Sequence, residues 1–241
     1  MFRRPTDPAS LRVLSLDLDD TLWDVAPVIE GAERALREWL GRYCPRVTAR
    51  YSPHGLRALR DRISQAHPDR THDLSWMRLQ TLEQALGDCG YPTHLAGDAF
   101  EVFLDARNRV SLHADVLPAL EALHRRYTLV ALTNGNADLE RVGLGRYFDH
   151  YLCARGVGAA KPDPRMFQAV AEATGHAPAE VLHIGDDPER DVVGAARAGM
   201  VTAWVNRRGD PWPVDHPPPD TRISELLTLS DWLLRAAPPA R

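Results

Sequence analysis

Four short apolar runs, each closing on or soon followed by polar residues able to do chemistry, constrain this chain most. They are "VLSLDLDDT" from Val13, "YTLVALTN" from Tyr127, "YLCA" from Tyr151 with "GAAKPDP" after it, and "VLHIGDD" from Val181. Such runs, bounded by turn signals, read as strands buried on both faces. Helical patterns lie among them: "VLPALEALHRR", "DPRMFQAVAEATG" and "RDVVGAARAGM", the last closing on glycine. A fifth run, "VTAWVN", follows. Alternating strands and helices predict a parallel sheet covered by helices on both faces.

Residues 25–113 break this rhythm and hold no convincing strand. "APVIEGAERALREWLGRY" has a proline near its first turn and apolar residues at helical spacing. "SPHGLRALRDRISQAH" opens with Ser52 as an N-cap and Pro53 at the first helical position. "DLSWMRLQTLEQALGDCG" and "LAGDAFEVFLDARNRV" are two more amphipathic patterns. The expectation is an α/β core from residues 1–24 and 114–241, with a helical insert over 25–113. Near the end, "GDPWPVDHPPPD" is a proline-rich surface crossing that either packs on the core or meets a partner. Residues 224–234 read as a closing helix.

Composition narrows the function classes. A chain of 241 residues, 44% hydrophobic, supports a sizeable core. A net charge of -4 with no basic block argues against nucleic acid as a partner. No apolar run is long enough to span a membrane. The N-terminal "MFRRPTDPASLR" lacks the apolar stretch of a secretory signal. Cys44, Cys89 and Cys153 are odd in number and far apart, which suits buried thiols in a reducing cytosol rather than disulfides or a metal site.

In an open parallel sheet, ligands bind outside the carboxyl ends of the strands. The first run brings Asp17 and Asp19 there, and the second brings Thr133, Asn134 and Gly135. Lys161 follows the third, while Asp186 and Asp187 end the fourth, with Asp191 farther on. Packing does not require Asp17, Asp19 and Asp20 within four residues, where they repel one another. Carboxylates gathered beside a lysine and a threonine point to a divalent cation and an anionic substrate. Mg²⁺ takes oxygen ligands and accepts phosphate in its shell. An ionised carboxylate needs no activating base to attack phosphorus. Its obstacle is repulsion from phosphate, which a metal and a lysine relieve.

"DLDDT", "LTNGN", "AAKP" and "HIGDDPERD" resemble, in order and spacing, the four motifs of the haloacid dehalogenase-like hydrolases. The resemblance covers nearly the whole chain and implies a Rossmann-like sheet core with an inserted helical cap. A narrower set is "DLDDTLWD…PVI", "LTNGNA", "GLGRYFD", "SWMRLQTLEQAL" and "LHIGDDPERDVVGAARAGM". It is similar to the bacterial flavin-pathway phosphatases, which act on 5-amino-6-(5-phospho-D-ribitylamino)uracil and on FMN. What this implies is a cytoplasmic, Mg²⁺-dependent phosphomonoester hydrolase of riboflavin biosynthesis, with a small phosphorylated metabolite as its partner.

The resemblance also implies roles. Asp17 is expected to attack phosphorus and form an aspartyl-phosphate. Asp19 is expected to protonate the leaving alkoxide, then deprotonate water. Asp17, Asp186 and the Asp19 backbone carbonyl would hold the metal. Thr133 and Asn134 would contact phosphate, Asn134 having a turn role as its alternative. Lys161 would neutralise phosphate charge and orient Asp17. Asp187 and Asp191 would support, Asp191 by orienting Lys161 or a metal-bound water. Asp20 is read as a turn residue and Thr21 as shaping the same loop. His183 is read as structural, and Trp23 and Asp24 as part of a hinge. In the cap, Trp76 and Arg78 are candidates to stack on a substrate ring, against helix packing and a solvated charge. Three alternatives stay open: a broad sugar-phosphate or nucleotide phosphatase, a phosphosugar mutase, and a binding module on an inactive fold. The presence of Asp17, Asp19, Lys161 and Asp186 together argues against the last.

Overall fold

β1 (Val13–Leu16) is buried at all four positions, as a strand with neighbours on both sides and helices above and below must be. The computed structural model describes residues 8–235, so the first seven residues, read above against a secretory signal, lie outside it. Two compact units are present. The first runs up to Asp24 and includes Ser111–Gly135 and the chain from Gly143 onward; the second is Val25–Val110 with Asn136–Val142.

In the first unit, α6 (Val116–Leu123) precedes β2 (Thr128–Thr133). β3 (His150–Cys153), α8 (Ala154–Val157) and α9 (Pro164–Thr174) follow. β4 (Val181–Gly185) leads into a π-helical turn, Pro188–Val193, continued by α10 (Gly194–Arg197). β5 (Val201–Val205), β6 (Thr221–Ile223) and α11 (Leu226–Arg235) complete the unit. The sheet is wholly parallel, in the order β3-β2-β1-β4-β5-β6. Chain order therefore reverses at β1, and the crevice between the ends of β1 and β4 is the switch point of an α/β sheet. On one side of the sheet Val13, Val130, Val181, Phe167 and Met166 share a buried cluster.

β6 has no signal of its own in the sequence. It is three residues long and follows prolines, too short to show a period. Asp220 leads into it: its carboxylate accepts from the Thr202 backbone N–H (3.0 Å) and hydroxyl (3.2 Å). The proline-rich crossing packs on the sheet unit, with Trp212 edge-on to Trp204 of β5 at 4.8 Å.

The second unit is helical. α1 (Val25–Tyr43) buries Val28, Ala32, Leu36 and Leu40, one stripe at a spacing of four. α2 (Pro45–Arg50) and α3 (Pro53–Ala66) follow, then α4 (Leu74–Asp88) and α5 (Leu95–Arg107). Ser52 caps α3 by accepting the Gly55 N–H at 3.0 Å, with Pro53 in the first turn. Such a cap contributes about 1 kcal/mol. The unit departs from the sequence expectation at two places. Trp23 bridges Leu112 and His113 N–H donates to Leu22 (3.0 Å), so the chain rejoins the sheet unit from Ser111 rather than from residue 114. Asn136–Val142, including α7 (Leu139–Val142), belongs with the helices. There Asp138 N–H donates to Asn108 Oδ1 at 2.7 Å, and Arg141 pairs with Asp105 and Glu101 at 2.9 and 3.1 Å.

Candidate active site at the carboxyl edge of the sheet

β1 delivers Asp17 to the switch point, its backbone N–H continuing the ladder onto Ile184 at 2.9 Å. Lys161 reaches it from the loop after α8. Its Nζ donates to Asp17 Oδ1 and to Asp191 Oδ1, both at 2.6 Å, and all three side chains are buried. Asn134 fixes the lysine's backbone from the end of β2. Its Nδ2 donates to the Lys161 carbonyl (3.0 Å), and its Oδ1 accepts the Lys161 N–H (2.7 Å). Beside it, Thr133 Oγ1 accepts the Gly135 N–H at 2.8 Å.

The fourth strand end is built around Asp187 and Asp191. Asp187 caps the π-helical turn, accepting from the Glu189 and Arg190 N–H groups at 2.9 and 2.8 Å. Its own N–H donates to Asp191 Oδ2 at 3.0 Å. Asp191 therefore turns back onto the end of β4, so close that a Cβ on Gly185 would collide with its carboxylate. Asp186 receives the Thr21 hydroxyl at 3.2 Å, and the Trp204 indole N–H donates to its carbonyl at 2.7 Å. The loop after β1 is held from outside by Arg207, whose Nε donates to the Thr21 carbonyl (3.0 Å) while its fork grips Asp115 at 2.9 and 3.1 Å. Asp20 has φ +61°, the left-handed turn conformation that aspartate tolerates.

Carboxylate oxygens of Asp17, Asp186 and Asp191 all lie within 4.8 Å of one another. Against these three negative groups stands one ammonium, Lys161. Burial and the neighbouring carboxylates of Asp191 and Asp186 push the Asp17 carboxyl well above its ordinary value, although Lys161 opposes them. Burial, then Asp191 and Asp20, push Asp186 up to about 7. Burial also works against charge on Asp191, but Lys161 and His183 outweigh it and hold that carboxyl low. Lys161 is buried too, yet Asp17 and Asp191 hold its pKa above the ordinary value. The cluster carries more negative charge than the lysine balances, and a divalent cation among these oxygens fits that excess.

Residues 11–199 match the family model of the haloacid dehalogenase-like hydrolases. The chain belongs to that family. Among haloacid dehalogenase-like relatives, the 5-amino-6-(5-phospho-D-ribitylamino)uracil phosphatase YigB of Escherichia coli (strain K12) is 36% identical over 208 residues, covering 85% of this chain and 86% of that protein. A phosphoserine phosphatase of Thermus thermophilus is 34% identical over 252 residues, covering 90% and 96%. A crystal structure described as 2-haloacid dehalogenase from Pseudomonas syringae pv. Tomato DC3000 superimposes with TM-score 0.89 at 40% identity, covering 93% of this chain and 99% of that one. Proteins similar to this hydrolase thus include some described for phosphate esters and some described for haloacids.

Of the residues singled out from sequence, Asp17, Lys161, Asp186 and Asp191 converge on one cluster, with Asn134 tied to it through the Lys161 backbone and Asp187 through its own N–H to Asp191. Asp19 Oδ1 accepts the Trp23 indole N–H at 2.9 Å. Trp76 and Arg78 lie in the helical unit. Trp76 packs edge-on to His67 at 5.0 Å. Arg78 pairs with Glu33 at 2.8 Å and lies over the Phe103 ring at 3.6 Å.

Two contributors carry no sequence signal of their role. His183 is buried, as expected of a strand residue, but its Nε2 meets Asp191 Oδ1 at 3.2 Å and its Nδ1 meets Ser15 Oγ at 3.0 Å. Burial, against the pull of Asp191, lowers its pKa. A neutral ring donating at Nε2 then accepts the Ser15 hydroxyl at Nδ1. Trp204, which holds the Asp186 carbonyl, lies inside an apolar strand and looks like core.

Proposed function

We propose that this hydrolase is a Mg²⁺-dependent phosphomonoesterase acting through an aspartyl-phosphate on Asp17. Its substrates would be 5-amino-6-(5-phospho-D-ribitylamino)uracil and FMN, in a cytosolic setting. The observation that carries the ester reading is Asp19, an acid two residues beyond the buried Asp17–Lys161 pair. Departure of an alkoxide needs a proton, and departure of a halide does not. The substrate reading is supported by YigB, alike across most of both chains.

In this reading Asp17 attacks phosphorus in line, and the P–O bond to the leaving group breaks as Asp19 gives that oxygen its proton. Asp19 then takes a proton from water, which attacks phosphorus and frees both phosphate and Asp17. Lys161 neutralises charge on the phosphoryl group and holds Asp17 in line. Thr133 holds a phosphoryl oxygen, and Asn134 serves by fixing Lys161. Asp187 and Asp191 set the position of Lys161. Asp17, Asp186 and the Asp19 carbonyl would hold magnesium, which supplies charge neutralisation between carboxylates and phosphate. The sheet unit is the catalytic core and the helical unit the cap that selects substrate.

The test is phosphate release from FMN, the ribitylaminouracil phosphate, hexose phosphates and nucleoside monophosphates, with Mg²⁺ and with chelator. Halide release from 2-haloacids is measured beside it. Preference for the two ribityl phosphates, lost with chelator, is the expected result. Even rates across the panel would overturn the substrate assignment, and halide release alone would overturn the ester reading.

A further inference from the structure

Trp23 is fully buried, and its single polar group, the indole N–H, donates to Asp19 Oδ1 at 2.9 Å. An indole N–H only donates, and a buried one needs an acceptor. The contact is braced by backbone on both sides. Asp19 and Trp23 form a β-bridge, Asp20 N–H donates to the Trp23 carbonyl at 2.8 Å, and Trp23 also bridges Leu112. These contacts hold the backbone of Asp19 and Trp23 side by side, and full burial of the ring keeps its N–H on Asp19. From sequence, Trp23 reads as part of a hinge.

We infer that Trp23 is a positioning residue for the reaction: its indole N–H pins Oδ1 and sets the plane of the Asp19 carboxyl, so that Oδ2 exchanges the proton with the leaving oxygen. This rests on the reading of Asp19 as the acid above. Bulk alone would not provide it, because phenylalanine fills most of the same space without a donor. The need for a well-aimed acid depends on the leaving group. An alkoxide leaves badly without a proton, whereas 4-nitrophenolate leaves well without one.

The experiment compares kcat/KM for an alkyl phosphomonoester and for 4-nitrophenyl phosphate in the parent, Trp23→Phe and Asp19→Asn. Asp19→Asn is expected to lose alkyl turnover far more than aryl turnover. Trp23→Phe is expected to shift in the same sense, with alkyl kcat/KM down about tenfold or more and aryl kcat/KM down less than about threefold. Equal losses on both substrates would mean that Trp23 only packs, and would overturn the inference. So would an unchanged or raised alkyl rate. Discrimination in Asp19→Asn without discrimination in Trp23→Phe would leave the phosphatase reading standing and remove the inference alone. Should Trp23→Phe fold poorly, 3-benzothienylalanine at position 23 keeps the ring shape and removes only the donor. The same selective loss is expected there, and parent-like ratios would contradict it.

Discussion

In the sheet unit, Lys161 is 2% exposed at its side chain and is shared by Asp17 and Asp191, with Asp186 close by. In the helical unit, the half-buried Arg78 is 14% exposed at its side chain and meets one acid, Glu33, whose side chain is 43% exposed. Arg78 also rests on the Phe103 ring. The sheet unit concentrates unbalanced charge at a buried strand end, whereas the Arg78–Glu33 pair is matched one to one and shared with water through Glu33. Unbalanced buried charge is costly. The difference teaches where the proposed chemistry is placed: the cluster at the strand ends carries an excess of negative charge that a bound cation would offset, while Arg78 is balanced by Glu33 and the Phe103 ring.

Several substitutions would break or sharpen that contrast. Asp17→Asn should have the largest effect, lowering kcat on the order of 10⁴-fold while circular dichroism stays that of the parent. Lys161→Met should come next. It leaves Asp17 and Asp191 buried without their cation, at about 3–5 kcal/mol of unfolding free energy. Arg78→Met should cost only about 1–2 kcal/mol, because Glu33 can turn to water and mainly the ring contact is lost. Urea titration of both variants checks the pair, and equal losses would erase the contrast.

The pH dependence sharpens it further. In chelated protein the folded-state pKa of Asp186 is about 7 against an ordinary 3.8. Folded protein then holds a proton that the unfolded chain has released. Stability from this group is full below about pH 4 and is lost as pH rises through about 7, on the order of a few kcal/mol. Urea midpoints of metal-free parent and Asp186→Asn should therefore diverge between about pH 4 and about pH 7, with the parent falling. A flat difference would contradict the account. The smallest effect is expected from Ser52→Ala, about 1 kcal/mol of stability with unchanged turnover.

The strands were legible because each is an apolar run cut off by polar residues, and the acids Asp17, Asp186 and Asp191 follow from where those runs stop. What escaped depends on distant partners. β6 is set by Asp220 reaching Thr202, and Asn136–Val142 is drawn to the helices by Asn108 and Arg141. From sequence His183 reads as structural, because strand alternation takes no account of a side chain returning from the next turn, as Asp191 does. Trp204 holds the Asp186 carbonyl from a neighbouring strand whose pattern is that of ordinary core.

The central claim is that Asp17 is the nucleophile of a phosphoryl transfer. The most direct test is rapid acid quenching during turnover of a phosphomonoester, followed by mass spectrometry of the peptide containing Asp17. The account predicts a phosphoryl group on Asp17, present in the parent and absent from Asp17→Asn. Steady phosphate release with Asp17 unmodified, or undiminished release by Asp17→Asn, would contradict it.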